Sequence, residues 1–150
     1  MSTHFPLPDP GFAATQPFFE AASRGELALC RCNACQAWNW YPRELCRSCG
    51  DASWTWITLS GRAELFSFAV VERAFASPFK SKVPFVAALV SPEEAPAVRI
   101  PSNIVHCPPE AVEIGMKLQA VFLPLQFEGI EGRVVAPFFE PLRSEKTAPA

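Results

Sequence analysis

Four cysteines in two closely spaced pairs constrain this chain more than any other feature. Each pair has the form C-x-x-C, and ten residues separate the pairs. The four are Cys32, Cys35, Cys46 and Cys49. One tight turn can point two thiolates at one ion, and two such turns complete a tetrahedral zinc site with sulfur at about 2.3 Å. Because four thiolates leave no position for water or substrate, we predict a structural zinc site.

The cysteine pattern leaves three alternatives open. Cys30 lies two residues before Cys32 and on the same side of an extended segment, so it can replace Cys32 as a ligand. We prefer Cys32 because its spacing to Cys35 equals that of Cys46 to Cys49. The same thiols can also be ordinary buried small residues, and iron can occupy the same ligand set.

The residues after the second cysteine pair are typical of a small β-barrel. Apolar and β-branched residues form six short segments separated by turn residues. The segments are 54–59, 63–72, 85–90, 97–105, 117–125 and 133–139. Gly61 lies where a strongly coiled strand needs a bend, and residues 108–112 can form one helical turn. One short helix within five or six strands predicts an OB-fold.

The chain divides into four stretches. Residues 1–29 predict a proline-rich arm and a short helix that Thr15 caps, and residues 30–53 form the metal module. Residues 54–143 form the barrel, and residues 144–150 predict a disordered tail because they lack apolar periodicity. The predicted fold class is therefore mainly β, with an N-terminal helix, a zinc ribbon and a C-terminal OB-fold barrel.

Charge argues against a nucleic-acid partner. The formal net charge is -2, and residues 61–142 carry seven Lys and Arg against nine Asp and Glu. A barrel that binds single strands needs a basic track beside its stacking rings. A single-strand nucleic-acid-binding protein is therefore the least favoured alternative.

The sequence also bears on the compartment. No apolar run approaches the roughly 20 residues that a membrane span needs, and the first residues lack the pattern of a secretory signal. Six cysteines without an export signal favour metal binding over disulfides. We therefore expect a cytoplasmic protein with no membrane partner.

The chain offers few groups for catalysis. His106 and Cys107 are adjacent, but neighbours on a strand point to opposite faces, so the imidazole cannot readily deprotonate that thiol. The sequence holds two histidines and none of the common hydrolase, metalloprotease, Walker or dinucleotide-binding motifs. We expect no catalytic residue and no activity of the chain alone.

Several motifs together resemble one protein family. A short aromatic helix precedes G-E-L-A-L, C-N-A-C, Y-P-R, C-R-S-C-G and W-I-T-L-S-G-R-A, and P-F-V-A-A-L-V, V-E-I-G-M-K-L and P-F-F-E-P follow. This order, over residues 15–142, resembles the family called domain of unknown function 35 (DUF35). The resemblance implies a rubredoxin-like zinc ribbon joined to an OB-fold, with the four paired cysteines as ligands. Gln36 departs from the pattern, since the family often has glycine there.

The resemblance also implies a function. Members of the family are usually small, non-catalytic partners of thiolase-like enzymes and are thought to help hold acyl-CoA. We therefore expect a scaffolding, acyl-CoA-binding subunit of a thiolase (acyl-CoA acyltransferase) complex in acyl-CoA degradation. The assembly would be a hetero-oligomer, with two copies of each chain as one arrangement. The alternative is a subunit of a MaoC or hotdog-type enoyl-CoA hydratase complex, which the sequence barely separates from the first.

One loop, residues 73–84, can supply contacts to coenzyme A. Phosphates need positive charge, and the pantetheine and acyl groups need an apolar channel. Arg73, Lys80 and Lys82 offer the charge, and Phe75 and Phe79 offer apolar surface. A solvated loop without a ligand explains the same residues. Because no glycine-rich phosphate cradle is present, we expect any binding to be shared with a partner.

Overall fold

One α-helix and eight β-strands organise residues 6–143, the part of the chain that the computed structural model describes. The helix α1 spans Gln16–Ser23. The strands are β1 Leu27–Cys32, β2 Trp38–Asn39, β3 Trp54–Leu59, β4 Arg62–Val71, β5 Phe85–Pro92, β6 Ile100–Ile104, β7 Lys117–Leu125 and β8 Val134–Pro141. The mainly β fold class with one N-terminal helix is confirmed. The tail predicted at 144–150 lies outside the described residues.

The helix α1 begins where the sequence predicts, but Thr15 does not cap it through its side chain. The Thr15 hydroxyl instead donates to the carbonyl of Phe12, at 3.4 Å. Pro17 suits the first turn because a proline lacks the N–H that has no partner there. The buried face, which includes Phe18 and Ala21, packs on β1 and β8. No helix within residues 6–143 is both long and apolar enough to cross a membrane.

The ribbon is a three-stranded antiparallel sheet in the order β2-β1-β3. β1 pairs with β3 along its whole length, from Leu27 opposite Leu59 to Cys32 opposite Trp54. We predicted residues 54–59 as the first strand of the barrel. That assignment is wrong, because these residues pair with β1 in the ribbon sheet. The reason is that β1 is almost entirely buried, and β2 lies along only one of its two edges. The remaining backbone groups of β1 need a partner, and β3 supplies it.

The bend predicted at Gly61 is present, but it carries the chain from the ribbon sheet into the barrel and does not lie within the barrel. Gly61 has φ 80°, a conformation that residues with a Cβ rarely adopt. A Cβ there would lie 2.7 Å from Nε2 of Gln119 and 3.3 Å from Cβ of Ala120. Next to the bend, the Ser60 amide donates to the Glu94 carboxylate at 2.7 Å. Partial burial raises the pKa of Glu94, but the hydrogen bonds from Ser60 hold that pKa below its usual range.

Strands β4 to β8 close into a barrel in the order β4-β5-β6-β8-β7, and β7 returns to β4. Every pairing is antiparallel except that of β6 with β8. A 3-10 turn, Pro109–Ala111, connects β6 to β7 where the sequence predicts one helical turn. Five strands with such a turn between the third and the fourth form an OB-fold. The predicted barrel architecture is therefore confirmed.

One continuous hydrophobic core joins the ribbon to the barrel. Leu27 and Leu29 enter it from β1, and Leu65, Leu118 and Phe139 enter it from barrel strands. Each of these side chains is at most 1% exposed. The root of the ribbon is therefore packed as part of the barrel, whereas the cysteine end of β1 lies outside this cluster.

Candidate metal centre and barrel-end groove

The four cysteines predicted as ligands converge at the tip of the ribbon. Their sulfur atoms all lie within 4.8 Å of one another. Cys32 Sγ lies 3.6 Å from Cys49 Sγ, and Cys35 Sγ lies 3.7 Å from Cys46 Sγ. Four sulfurs at about 2.3 Å from a central zinc would be roughly 3.8 Å apart in an ideal tetrahedron. The donor set and its spacing therefore fit a zinc ion with no open coordination position.

The two halves of the cluster are built by similar turns. The Gln36 amide donates to the Cys32 carbonyl and the Gly50 amide to the Cys46 carbonyl, both at 2.9 Å. Gln36 and Gly50 have positive φ, 62° and 78°, which is unfavourable for a residue with a side chain. The Gln36 side chain compensates by donating to the Asn33 carbonyl at 3.0 Å. The departure from glycine at this position therefore leaves the turn intact.

Hydrogen bonds favour a thiolate at Cys46. Burial raises the pKa of this thiol, but hydrogen bonds outweigh burial, led by one from the Ser48 amide at 3.4 Å. The side-chain amide of Asn39 adds a donor at 3.5 Å. Together they lower the pKa of Cys46 to about 6. This thiol therefore ionises more readily than an ordinary cysteine, as suits a metal ligand.

Cys30 lies beside the cluster but is not part of it. Its thiol is buried and donates to the carbonyl of Asn39 at 3.1 Å. Burial raises the pKa of Cys30 to about 11, which keeps the sulfur protonated. The four converging sulfur atoms include that of Cys32 and not that of Cys30, in agreement with our choice of ligands.

His106 and Cys107 have separate partners. The strand β6 ends at Ile104, so the pair lies in a bend and not on a strand as we assumed. The Nδ1 atom of His106 pairs with a carboxylate oxygen of Glu140. The Cys107 sulfur donates to the carbonyl of Pro108 at 3.6 Å. The imidazole is engaged away from the thiol, so the two are not arranged as a nucleophile and its base.

The loop predicted to contact coenzyme A borders two depressions at one end of the barrel. The larger, of about 260 Å³, is lined in part by Arg73, Phe75 and Phe79. The smaller, of about 180 Å³, is lined in part by Phe79 and Lys82. Lys80 lines neither of them. The two depressions adjoin at Phe79 and Phe85, which line both, and together we call them the barrel-end groove.

Several residues of this groove are not apparent from the sequence. They include Phe85, Asn103, Phe127 and Phe138. Phe127 packs edge-on against Phe79, with ring centroids 5.0 Å apart, and so joins loop 126–133 to loop 72–84. The OB-fold prediction could have located these residues, because the loop after the first strand and the loop before the last strand adjoin one binding surface in such barrels.

The hollow on the face of β4, β5 and β6 has no charged residue among the described residues that line it. This shallow hollow, of about 530 Å³, is lined by serine, alanine, leucine, proline and asparagine and by one phenylalanine. Other OB-fold proteins bind oligonucleotides on the corresponding face and its adjoining loops, where they need basic and stacking residues. The lack of charged side chains in this hollow of the described barrel adds to the charge argument against nucleic acid.

Comparison with known proteins identifies both units. Residues 19–55 match the family described as "ChsH2, rubredoxin-like zinc ribbon domain", and residues 56–123 match "ChsH2, C-terminal OB-fold domain". The chain is also 33% identical over 116 residues to a DUF35 domain-containing scaffold protein of Methanocaldococcus jannaschii. That alignment covers 76% of this chain and 80% of the relative. The chain belongs to the DUF35 family.

Two further DUF35-like matches carry the names of enzymes. A probable enoyl-CoA hydratase alpha subunit of Thermomonospora curvata is 32% identical over 99 residues, which are 66% of this chain and 30% of that protein. A chain of the solved structure "Ltp2-ChsH2(DUF35) aldolase" has a TM-score of 0.74 and 27% identity. The structural match covers 89% of this chain and 98% of the other. This chain therefore corresponds to nearly all of the second relative but to less than a third of the first.

The DUF35 assignment confirms the predicted pairing of a rubredoxin-like zinc ribbon with an OB-fold. The two family matches meet between residues 55 and 56, inside β3. This is the strand that pairs in the ribbon sheet and then continues through Gly61 into the barrel. The ribbon and the barrel of this DUF35 chain are thus joined through a strand and a shared core.

Proposed function

We propose that this DUF35 chain is a non-catalytic scaffolding subunit that holds an acyl-CoA thioester beside the active site of a larger catalytic subunit. The observation that carries the proposal is the match to 98% of a chain in the Ltp2-ChsH2 aldolase structure, whose name joins two components. The scaffold relative supports the same role. The partner would supply the reactive groups, since His106 and Cys107 are engaged elsewhere.

A thiolase-type acyltransferase subunit is our first candidate for the partner, as the sequence resemblance implies. The complex would act in acyl-CoA degradation, and two copies of each chain are the first stoichiometry to test. None of the six cysteines, all of which lie in the described range, is in a disulfide, the state typical of a reducing compartment. We therefore place the complex in the cytoplasm.

The ribbon tip would hold one structural zinc ion through Cys32, Cys35, Cys46 and Cys49. The convergence of the four sulfurs and the match to a zinc ribbon family support this assignment. A bound ion would supply folding free energy to a segment that buries little apolar surface. The chain's own residues then present a rigid ribbon beside the barrel.

The barrel-end groove is our candidate for the acyl-CoA contacts of this chain. Arg73 and Lys82 border it, and Phe75 and Phe79 supply apolar surface. The ring of Phe75 is fully exposed, and a bound ligand or partner would cover it. Lys80 lines neither depression, so in this proposal it contributes only at longer range.

An enoyl-CoA hydratase subunit of the MaoC or hotdog type is the second candidate for the partner. The observation that favours it is the 32% identity to a probable enoyl-CoA hydratase alpha subunit. The match covers only 30% of that protein, so the hydratase activity itself need not come from the part that this chain resembles. The scaffolding role of this chain would be the same with either partner.

Purification of the tagged chain from cells that express it, followed by identification of bound proteins, tests the proposal. We expect a thiolase-type subunit to co-purify and the reconstituted pair to turn over an acyl-CoA that neither protein turns over alone. Hydration of an enoyl-CoA by the pair would select the second candidate instead. Turnover by the isolated chain that Cys107→Ala abolishes would contradict both, because catalysis would then lie on this chain.

A further inference from the structure

The smaller part of the barrel-end groove is a pocket between two loops. Loop 72–84 contributes Phe79 and Lys82, and loop 126–133 contributes Phe127. The strands beneath contribute Phe85 and Asn103. The edge-on contact of Phe79 with Phe127 holds the loops together. The described part of this chain therefore forms the pocket alone, without residues of a partner.

The chemistry of the pocket is mixed. Its walls are aromatic and aliphatic, but the Asn103 amide also lines it and the Lys82 ammonium lies 5.5 Å from the centroid of the Phe127 ring. A hydrocarbon chain would leave the half-buried Asn103 amide without a hydrogen-bonding partner, which costs free energy, and would make no use of the exposed Lys82 ammonium. A suitable ligand therefore offers apolar groups, hydrogen-bonding groups and a nearby anion.

The size of the groove favours a ligand that extends over both of its parts. Its two parts, of about 180 and 260 Å³, are each below the size of common ligand pockets, about 300 Å³ or more, and reach it only together. An aromatic base does not fit as a stacked ring: Phe79 and Phe127 meet at 66°, and the centroids of Phe79 and Phe85 are 6.4 Å apart. A ring between two others needs a contact of about 3.5 Å or more on each side.

Resting on the proposed function, we propose that the barrel-end groove binds the pantetheine arm of acyl-CoA, and neither its acyl group nor its adenine. The arm alternates amides with short apolar links, and its gem-dimethyl group lies one methylene from the pyrophosphate. The dimethyl group packs against Phe79 and Phe127, the arm's amides face Asn103, and the pyrophosphate lies within reach of Lys82 and Arg73. This chain thus recognises what all acyl-CoA esters share, and the partner selects the acyl group.

Isothermal titration of the purified full chain tests the assignment with four probes. Coenzyme A, octanoyl-CoA and 4′-phosphopantetheine carry the arm with its phosphate, whereas adenosine 3′,5′-bisphosphate lacks it. We expect the first three to bind within about threefold of one another and the bisphosphate to bind at least about tenfold more weakly. Octanoyl-CoA binding about tenfold tighter than coenzyme A would overturn the proposal in favour of an acyl pocket. Absence of coenzyme A binding would overturn it as well.

Two lysines of one loop give a matched pair of variants. Lys82 lines the pocket and Lys80 does not, although both are exposed. We expect Lys82→Glu to weaken coenzyme A binding about tenfold or more and Lys80→Glu to weaken it less than about threefold. Equal losses would mean that the loop acts only through diffuse charge, and would overturn the assignment. Asn103→Ala, which changes no charge, should also weaken 4′-phosphopantetheine, and an unchanged affinity would count against the proposal.

The test of the pantetheine assignment can fail without the proposed assembly failing, and the reverse is also true. A partner that co-purifies with a chain unable to bind coenzyme A would contradict the pantetheine assignment alone. Binding of coenzyme A by a chain that captures no catalytic subunit would contradict the assembly alone.

Discussion

The ribbon tip and the barrel share one fold but bury different kinds of side chain. Leu65, Leu118 and Phe139 of the barrel are completely buried among other apolar residues. Between β1 and β3, the buried side chains other than a proline are Asn39 and Cys46. Free energy from apolar burial is roughly proportional to buried area, so packing stabilises the barrel but contributes little to the tip. The difference predicts that metal loss and core truncation will damage separate parts of one chain.

The largest effect should come from Cys46→Ser. This change removes one of four sulfurs that lie within 4.8 Å of each other, and metal binding and folding share their free energy in such ribbons. We expect the protein to fall from about one zinc per chain to none, and hydrogen exchange to show lost protection in residues 33–53. Barrel strands β4 to β8 should stay protected because no buried member of their core lies in residues 33–53, although Trp38 and Trp40 pack against that core.

The matched control for that experiment is Cys107→Ser, which removes a half-buried thiol outside the cluster. It should keep both the metal and the protection of the ribbon. Cys30→Ala is a sharper control, because Cys30 is buried beside the ligands but bonds to a carbonyl instead. A metal-free Cys46→Ser protein whose ribbon amides exchange as slowly as in the wild type would refute the division between tip and barrel.

The barrel half of the comparison is tested by Leu65→Ala. Leu65 is fully buried in β4, and such truncations cost about 2–5 kcal/mol through lost burial and a residual cavity. We expect this decrease in the free energy of unfolding by urea, with zinc content unchanged. The matched change in the ribbon is Leu45→Ala. Because Leu45 is 56% exposed, this substitution should lower the free energy of unfolding by less than about 0.5 kcal/mol. Loss of zinc in Leu65→Ala would show that the ribbon tip and the barrel do not lose their structure independently.

The parts of the molecule that the sequence predicted are those that depend on local pattern. The spacing of the cysteines identified a set whose sulfurs converge, and strands β3 and β7 begin and end where apolar alternation placed them. Gly61 lies at the predicted bend, with φ 80°. In each case the determining residues lie within a few positions of one another.

The parts that the sequence did not predict depend on distant partners. The strand β3 was found but assigned to the wrong sheet, because its partner is the free edge of the buried strand β1, more than 20 residues earlier in the chain. Thr15 was correctly placed at the start of the helix. Its hydroxyl, however, donates to the Phe12 carbonyl of the preceding turn and does not cap the helix. The groove residues Asn103 and Phe127 meet Phe79 only once the barrel closes. Closure of a barrel is a property of the whole strand order, which no local window contains.

The smallest effect, and the finest test of the comparison, comes from two glycines with nearly the same φ. Gly50 in the ribbon tip has φ 78° and Gly61 at the barrel corner has φ 80°. Alanine at either position adopts a left-handed conformation at a cost of about 1–2 kcal/mol, less about 0.4–1 kcal/mol from the reduced entropy of the unfolded chain. These contributions are alike at the two sites. The surroundings differ, because a Cβ at Gly50 meets nothing within 4 Å, whereas one at Gly61 approaches Ala120 Cβ to 3.3 Å.

We therefore expect Gly61→Ala to lose more stability than Gly50→Ala, by about 1 kcal/mol, the lower end of overpacking costs. The lower end applies because the closest atom, Nε2 of Gln119, ends a flexible side chain that can swing away from its long 3.4 Å contact with the Ser60 carbonyl. The Ala120 methyl group lies on strand β7, and the Ala120 amide donates to the Gly61 carbonyl at 2.8 Å. The methyl group therefore cannot move without weakening that hydrogen bond. Urea unfolding of both variants with zinc present measures the difference directly. Equal losses would mean that the corner has room for a methyl group, and that packing at the junction is as loose as at the ribbon tip.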